Sequence, residues 1–195
     1  FLVLVISVGT FSACKKKKGV YIIEGTLTDN TFAQNMSNQN LQVSILKAGN
    51  TGYTNYSTVT TDANGKYHIE VERDLIDQIR IIGTKNNYFP IEFTIPVSSL
   101  TVGEAYLKNY ATTAKSWVRL VFIHNTGDPN DILEYIKTSG KQDCAECCPK
   151  TTQTITGFAN DTVYCINNGN DYYGYNYTIV GTPVLDSRVA FTPAF

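Results

Sequence analysis

From Val20 onward the chain is a succession of short runs in which apolar and polar residues alternate. Leu41, Val43 and Ile45 are separated by Gln42 and Ser44; Tyr67, Ile69 and Val71 are separated by His68 and Glu70. A period of two turns one set of side chains to the core and the other to water, as a half-buried β-strand requires. The pattern predicts strands at 20–28, 41–47, 54–61, 66–72, 78–84 and 88–95. Asp62-Ala63-Asn64-Gly65 lies between two of them, and Asn-Gly supplies the positive-φ positions that a tight hairpin needs.

The second half is patterned differently. Trp117 to Ile123 is apolar at both parities, interrupted only by Arg119, which predicts a central strand covered on both faces. Residues 132–137 suit a strand or one helical turn, and 151–155, 162–166, 172–180 and 188–191 have strand composition. Asn167-Asn168-Gly169-Asn170 reads as another turn. The small, polar segment 111–116 is the expected linker. Many short strands with turn signals and no βαβ spacing predict an all-β chain. The expected organisation is a β-sandwich over 20–110 and a second β-rich, sandwich-like unit over 117–195.

Residues 1–14 break this pattern. Phe1 to Val8 is apolar apart from Ser7, and Gly9, Thr10, Ser12 and Ala13 lead into Cys14. The run is shorter than the roughly 20 apolar residues that span a bilayer, and it suits the apolar region of a secretory signal. Phe11-Ser12-Ala13-Cys14 resembles the bacterial lipobox, with Phe in place of the usual Leu. The resemblance implies cleavage of 1–13 and acylation of Cys14, which would anchor the protein to a lipid bilayer. Residues 14–19 then form a lysine-rich tether. Cys followed by lysines resembles lipoproteins of the Bacteroidetes. Surface display in that group is associated with acidic residues after the cysteine, which this tether lacks. The implied address is therefore the outer membrane, facing the periplasm.

Charge sharpens the picture. Of 16 basic residues four are Lys15 to Lys18, so the body from Gly19 carries 12 basic against 17 acidic residues, a net of −5. That sign argues against a nucleic-acid partner. Charged residues are 17% of the chain, below the roughly 25% of ordinary soluble domains, while 43% apolar residues exclude a disordered chain.

Four further segments carry a family resemblance. They are Glu24-Gly25-Thr26-Leu27-Thr28-Asp29, Leu41 to Ile45, Thr60-Thr61-Asp62-Ala63-Asn64-Gly65-Lys66-Tyr67 and Asn87-Tyr88-Phe89. Together they resemble the carboxypeptidase regulatory-like domain, which implies a transthyretin-like (prealbumin-like) sandwich over about 20–110. The insert Asn30 to Asn40 departs from the family pattern. In the turn motif Gly65 makes the turn, Asp62 caps it, and Tyr67 starts the inward-facing set. These roles are structural.

Four cysteines remain: Cys144, Cys147, Cys148 and Cys165. An even number in an exported domain predicts two disulfides with three possible connectivities. The expected pairing is Cys144 with Cys147 and Cys148 with Cys165. The spacing suits neither two separated zinc-binding Cys-x-x-Cys pairs nor a redox motif at a helix start.

Little else supports catalysis. His68 falls on the outward face of a strand and His124 at a strand end. Neither sits in the two-Tyr, two-His iron motif of intradiol dioxygenases. Asp128-Pro129-Asn130-Asp131 lacks calcium-loop spacing and reads as a turn. No phosphate loop, nucleophile elbow or H-E-x-x-H occurs. The chain is not expected to be an enzyme, and no cofactor or metal is expected.

Binding hints are aromatic. Tyr53, Tyr56 and Tyr172 are the candidate ligand contacts, because exposed tyrosines stack on sugar faces or anchor partners. Tyr173, Tyr175 and Tyr177 share one strand face and are expected in the core. Asp161-Thr162-Val163 resembles the short motif glycosylated in exported Bacteroidetes proteins. The expected function is a non-catalytic, membrane-anchored binding or scaffold module for an envelope protein or polysaccharide. The alternative is a fimbrial-type structural subunit assembled by strand exchange, with Val184 to Phe195 as the exchanged strand.

Overall fold

The computed structural model describes residues 19–124, 128–142, 144–181 and 185–195. The fold is all-β. Its strands are β1 (Val20–Asp29), β2 (Gln34–Asn35), β3 (Asn40–Lys47), β4 (Thr54–Thr60), β5 (Lys66–Glu72), β6 (Ile76–Gly83), β7 (Ile91–Pro96), β8 (Ala105–Leu107) and β9 (Tyr110–Thr112) in the first half. In the second half they are β10 (Lys115–His124), β11 (Ile132–Ser139), β12 (Gln153–Thr156), β13 (Ala159–Asn168), β14 (Asp171–Ile179) and β15 (Leu185–Thr192).

The first unit packs two sheets face to face. One has order β4-β3-β6-β7. The other centres on β1, flanked by antiparallel β2 and β5 and by parallel β8 and β9. Between them lie Ile23, Leu27, Leu41, Val43, Ile69, Val71, Ile79, Ile81 and Ile91, all at 1% exposure or less. Each such burial stabilises by roughly 1.5–3 kcal/mol. These are the residues that period-two alternation places inward, and β5 alternates without exception.

The Asp62–Gly65 turn is not a hairpin. β4 pairs with β3 and β5 pairs with β1, so the turn carries the chain from one sheet to the other. Only Gly65 takes positive φ (71°). Asp62 Oδ1 accepts the N–H groups of Asn64 and Lys66, each at 2.8 Å, which is the expected cap. The second expected turn is corrected in the same way. Asn167 and Asn168 belong to β13, Asn170 takes the left-handed position (φ 55°), and the corner leads from the β10–β13 sheet to the β11–β14 sheet.

The insert after Asp29 is tied into the fold. Buried Asp29 accepts the N–H groups of Thr31 (2.9 Å) and Phe32 (3.3 Å), and its other oxygen accepts the Tyr88 hydroxyl (2.7 Å). Thr61 Oγ1 donates to Met36 O and accepts from Gln39 N. Gly25 is demanded by close approach: a side chain there would strike the Lys108 carbonyl, which already accepts the Tyr67 hydroxyl.

The expected linker at 111–116 is instead packed. Ala111 and Thr112 finish β9 against β1; Lys115 and Ser116 open β10. Ala114 is fully buried, and its N–H donates to Thr31 Oγ1 (2.8 Å). Composition suggested a linker because small polar residues suit loops; the same small residues let the two halves approach closely. From the far end of the chain, Phe195 packs edge-on against Phe32 and Tyr88.

The second unit is a lopsided sandwich. Its larger sheet has order β12-β11-β14-β15, and its smaller sheet is the antiparallel pair β10–β13. Residues 132–137 are strand, not a helical turn. The central-strand expectation for Trp117–Ile123 is overturned. Among the described residues β10 has one ladder partner, and Trp117 (55%), Val121 (45%) and Ile123 (66%) are exposed. The inward parity, led by Leu120 with Val118 and Phe122, packs against Cys165, Tyr173, Tyr135 and Tyr175. An apolar run at both parities sees two apolar environments only if both faces are covered, and here one is not.

Candidate functional site

The two sheets of the second unit do not close completely at one end. A cavity of about 320 Å³ opens there, lined by Phe122 of β10, Leu133 of β11, Ile155 of β12, Tyr175 and Tyr177 of β14 and Arg188 of β15. Alternation along β14 aims Tyr173, Tyr175 and Tyr177 at this interior. Tyr173 is buried in the core as expected, while Tyr175 and Tyr177 are half-exposed at the mouth. Their rings lie 6.2 Å apart, and Phe122 packs on Tyr135 at 4.7 Å.

The rim adds polarity. Asp186 accepts the Tyr177 hydroxyl at 2.7 Å and pairs with Arg188 at 3.0 Å. The Tyr177 hydrogen bond, then the Ser187 backbone N–H, hold the Asp186 carboxyl below its usual range. Burial is the main force raising the Tyr175 hydroxyl. The Tyr175 hydroxyl therefore stays protonated and can donate. The cleft presents flat aromatic surface beside a carboxylate–guanidinium pair, which suits a ligand with an apolar face and hydrogen-bonding edges.

Below the cleft the disulfides staple the unit. Cys144 joins Cys147 and Cys148 joins Cys165, with Cα separations of 5.2 and 5.3 Å. The second bridge ties the 144–149 loop to β13. Sequence reading missed the side chain that fixes this loop from the other side. Lys137 is buried, and its Nζ donates to the carbonyls of Cys147 (2.6 Å) and Lys141. Burial, then the nearby Lys150 charge, lower its pKa. Fully buried Asn167 accepts Lys141 N (2.6 Å) and donates to Thr192 Oγ1 (2.8 Å). The partners of Asn167 are distant in the chain, and those of Lys137 are backbone carbonyls that residue identity does not mark.

The sequence-predicted ligand tyrosines do not converge. Tyr53 donates to Gln78 Oε1 (2.5 Å), and the Arg80 guanidinium lies 4.1 Å from its ring centre. Tyr56 accepts the Glu72 N–H. Both are occupied in bracing the first sandwich. Tyr172 is 58% exposed and packs edge-on against Phe191, outside the cleft. Cys14 and the side chain of His124 lie outside the described residues.

His68 is placed on the outer face of β5, between Glu24 (2.8 Å) and Glu70 (3.1 Å). These carboxylates, Glu24 first, raise its pKa. The group borders a polar depression that includes Asp62, Lys66 and Asn109. Both ring nitrogens are engaged. At 128–131 the chain makes a turn, in which Asp128 accepts the Asn130 and Asp131 backbone N–H groups. Among the described residues no three His, Cys, Asp or Glu side chains converge as a metal site. No described helix is long and apolar enough to cross a membrane.

No protein-family model and no curated protein matches the chain. Solved structures match at low identity. A shaft pilin from Lactobacillus rhamnosus is 7% identical, with 90% of this chain and 95% of that one covered at a TM-score of 0.39. A DUF3823 family protein from Parabacteroides merdae is 11% identical, covering 91% and 98% at 0.33. Chlorocatechol 1,2-dioxygenase from Pseudomonas putida is 9% identical, covering 51% and 62% at 0.37. The chain spans less than two thirds of that dioxygenase and 39% of a related catechol 1,2-dioxygenase from Acinetobacter.

Proposed function

We propose that this chain is a non-catalytic binding or scaffold module, anchored through acylated Cys14 to the periplasmic face of a bacterial outer membrane, that receives an envelope protein or glycan in the second-sandwich cleft. One observation carries the binding reading: the cleft brings Phe122, Tyr175 and Tyr177 beside Asp186 and Arg188. A sugar ring offers a matching apolar face and hydroxyl edge, and no acid, base or nucleophile is needed to hold it. Affinity electrophoresis against a panel of purified polysaccharides tests it. Retardation should be lost in Tyr177→Ala, at a cost of roughly tenfold or more in affinity for one stacking ring. No retardation by any polysaccharide, with no cross-link from the cleft to an envelope protein, removes this reading.

A structural subunit is the second reading, favoured by β15. It forms the edge of its sheet and turns Leu185 (68% exposed), Val189 (65%) and Phe191 (54%) to solvent. The segment proposed as an exchanged strand is thus paired to β14 within its own chain over Leu185–Thr192. Strand exchange would require that pairing to open. Polymer formation by the purified chain supports this reading; a monomer at every concentration removes it.

A further inference from the structure

We propose that copies of this chain stack head to tail through the second sandwich, the outer face of the β10–β13 pair in one copy lying on the outer face of the four-stranded sheet in the next. The inference deepens the structural-subunit reading by naming its surfaces, and it needs no strand to leave its sheet.

Two apolar faces lie on opposite sides of the same sandwich. On the smaller sheet, strand register sets Trp117 beside Ile166 and Arg119 beside Tyr164, with Val121 and Ile123 further along. Trp117, Val121, Ile123 and Tyr164 are 45–70% exposed. On the larger sheet Leu185, Val189 and Phe191 of β15 face outward with Tyr172 and Ile136. β15 turns its charged parity, Asp186 and Arg188, toward the cleft and its apolar parity to water. Burial alone favours the reverse, and a one-residue shift in register would produce it. The observed orientation makes sense if the outer face meets a further apolar surface.

Charge identifies the occupant as a second copy. Alternation places two charged residues of β10 and β13 on the outer face of the smaller sheet, Lys115 and Arg119, of which Lys115 is paired with Glu146 at 3.4 Å. It places one charged residue of β11, β14 and β15 on the outer face of the larger sheet, Glu134. Arg119 and Glu134 make no ion pair among the described residues. Each face thus offers the other an apolar strip and one unpaired charge of opposite sign, whereas either face on itself sets like charges together. Because the faces are different and point in opposite directions, the contact is heterologous and does not close on two copies; it continues as a row.

Size sets the strength. Ten residues at about 3.3 Å each and two strands about 4.8 Å apart give a footprint of about 30 by 10 Å. That is well below the roughly 800 Å² per partner of a standard stable interface. Association is therefore concentration-dependent. The footprint meets the cleft only at Val121 and Ile123, which also line its rim.

Trp117 is the only tryptophan, so its emission reports this face alone. Sedimentation velocity and Trp emission are measured on the full chain over a concentration series. The expected result is a rising series of oligomers with a matching blue shift. Arg119→Glu and Glu134→Arg should each weaken association by about tenfold, and the double variant, or an equimolar mixture of the two single variants, should restore it. Val189→Lys, at an exposed position, should abolish the blue shift while far-UV circular dichroism stays unchanged. Oligomers that form without a Trp117 shift and ignore both charge reversals overturn the stacking but leave the subunit reading standing. A dimer that grows no further overturns the head-to-tail arrangement. A monomer at all concentrations removes both.

Discussion

At the residue scale the clearest electrostatic device is His68 between Glu24 and Glu70. The carboxylates favour the imidazolium, so the folded pKa lies above the ordinary 6.5. A raised folded pKa adds stability that is present in full below the unfolded value and lost as pH rises through the folded one. All three side chains are substantially exposed, so solvent screens the gain and the effect on global stability is small. Titration of His68 by NMR is expected to show a midpoint above 6.5, lowered by Glu24→Gln. A midpoint at or below 6.5 in the unsubstituted chain would show that the pairs do not form in solution. Alternation located His68 on an outward face. Glu70, two residues on, shares that face by the same alternation, but Glu24 was not legible as a partner, since it reaches His68 only through the β1–β5 register that sets the two opposite each other. Tyr67, Tyr88 and Tyr173 show the opposite environment: burial pushes each hydroxyl up to about 12.

At the element scale the strands of the first half were largely legible, and their neighbours were not. β3 and β5 obey a period of two, and their inward residues form the core. The short strands β2, β8 and β9 escaped notice because two or three polar or mixed residues carry no period; their existence depends on β1 lying beside them. Both Asn-Gly signals marked real chain reversals, yet each reversal changes sheets. A turn residue specifies backbone φ, whereas the strand's partner follows from which apolar face needs covering. In the second half the element most dependent on covalent support is the 144–149 loop. The Cys148–Cys165 bridge spans a sequence separation of 17, and closing a loop of that size is worth about 3 kcal/mol in the chain-entropy model. Replacing both cysteines by serine is expected to lower the unfolding free energy by that order, read as a lower urea midpoint. An unchanged midpoint would mean that Lys137 and Asn167 hold the loop unaided.

At the scale of the whole molecule the two halves share a packed join in place of a loose connection. Ala114 lies in the first core, Thr113 Oγ1 donates to Asn168 (2.9 Å), Gly169 N donates to the Ala114 carbonyl (2.7 Å), and Ala194 and Phe195 return to the first half. Equilibrium denaturation should therefore be cooperative. Trp117 fluorescence reports the second half and far-UV circular dichroism reports all the strands; the two curves are expected to coincide. Phe195→Ala should pull them apart, with the Trp117 signal lost first, because the second core is the smaller. Separate transitions in the unsubstituted chain would show that the halves fold independently. The sequence by itself determined the all-β class, the inward face of most first-half strands and the four cysteines available for bridging, because alternation, turn chemistry and composition act over a few residues. Tertiary structure alone decided that β10 has one ladder partner, that an expected linker is buried, and that Phe122, Tyr175, Tyr177 and Arg188 meet at one cleft. Those outcomes depend on which strands run out of partners, a property of the assembled sheets that no local window of sequence contains.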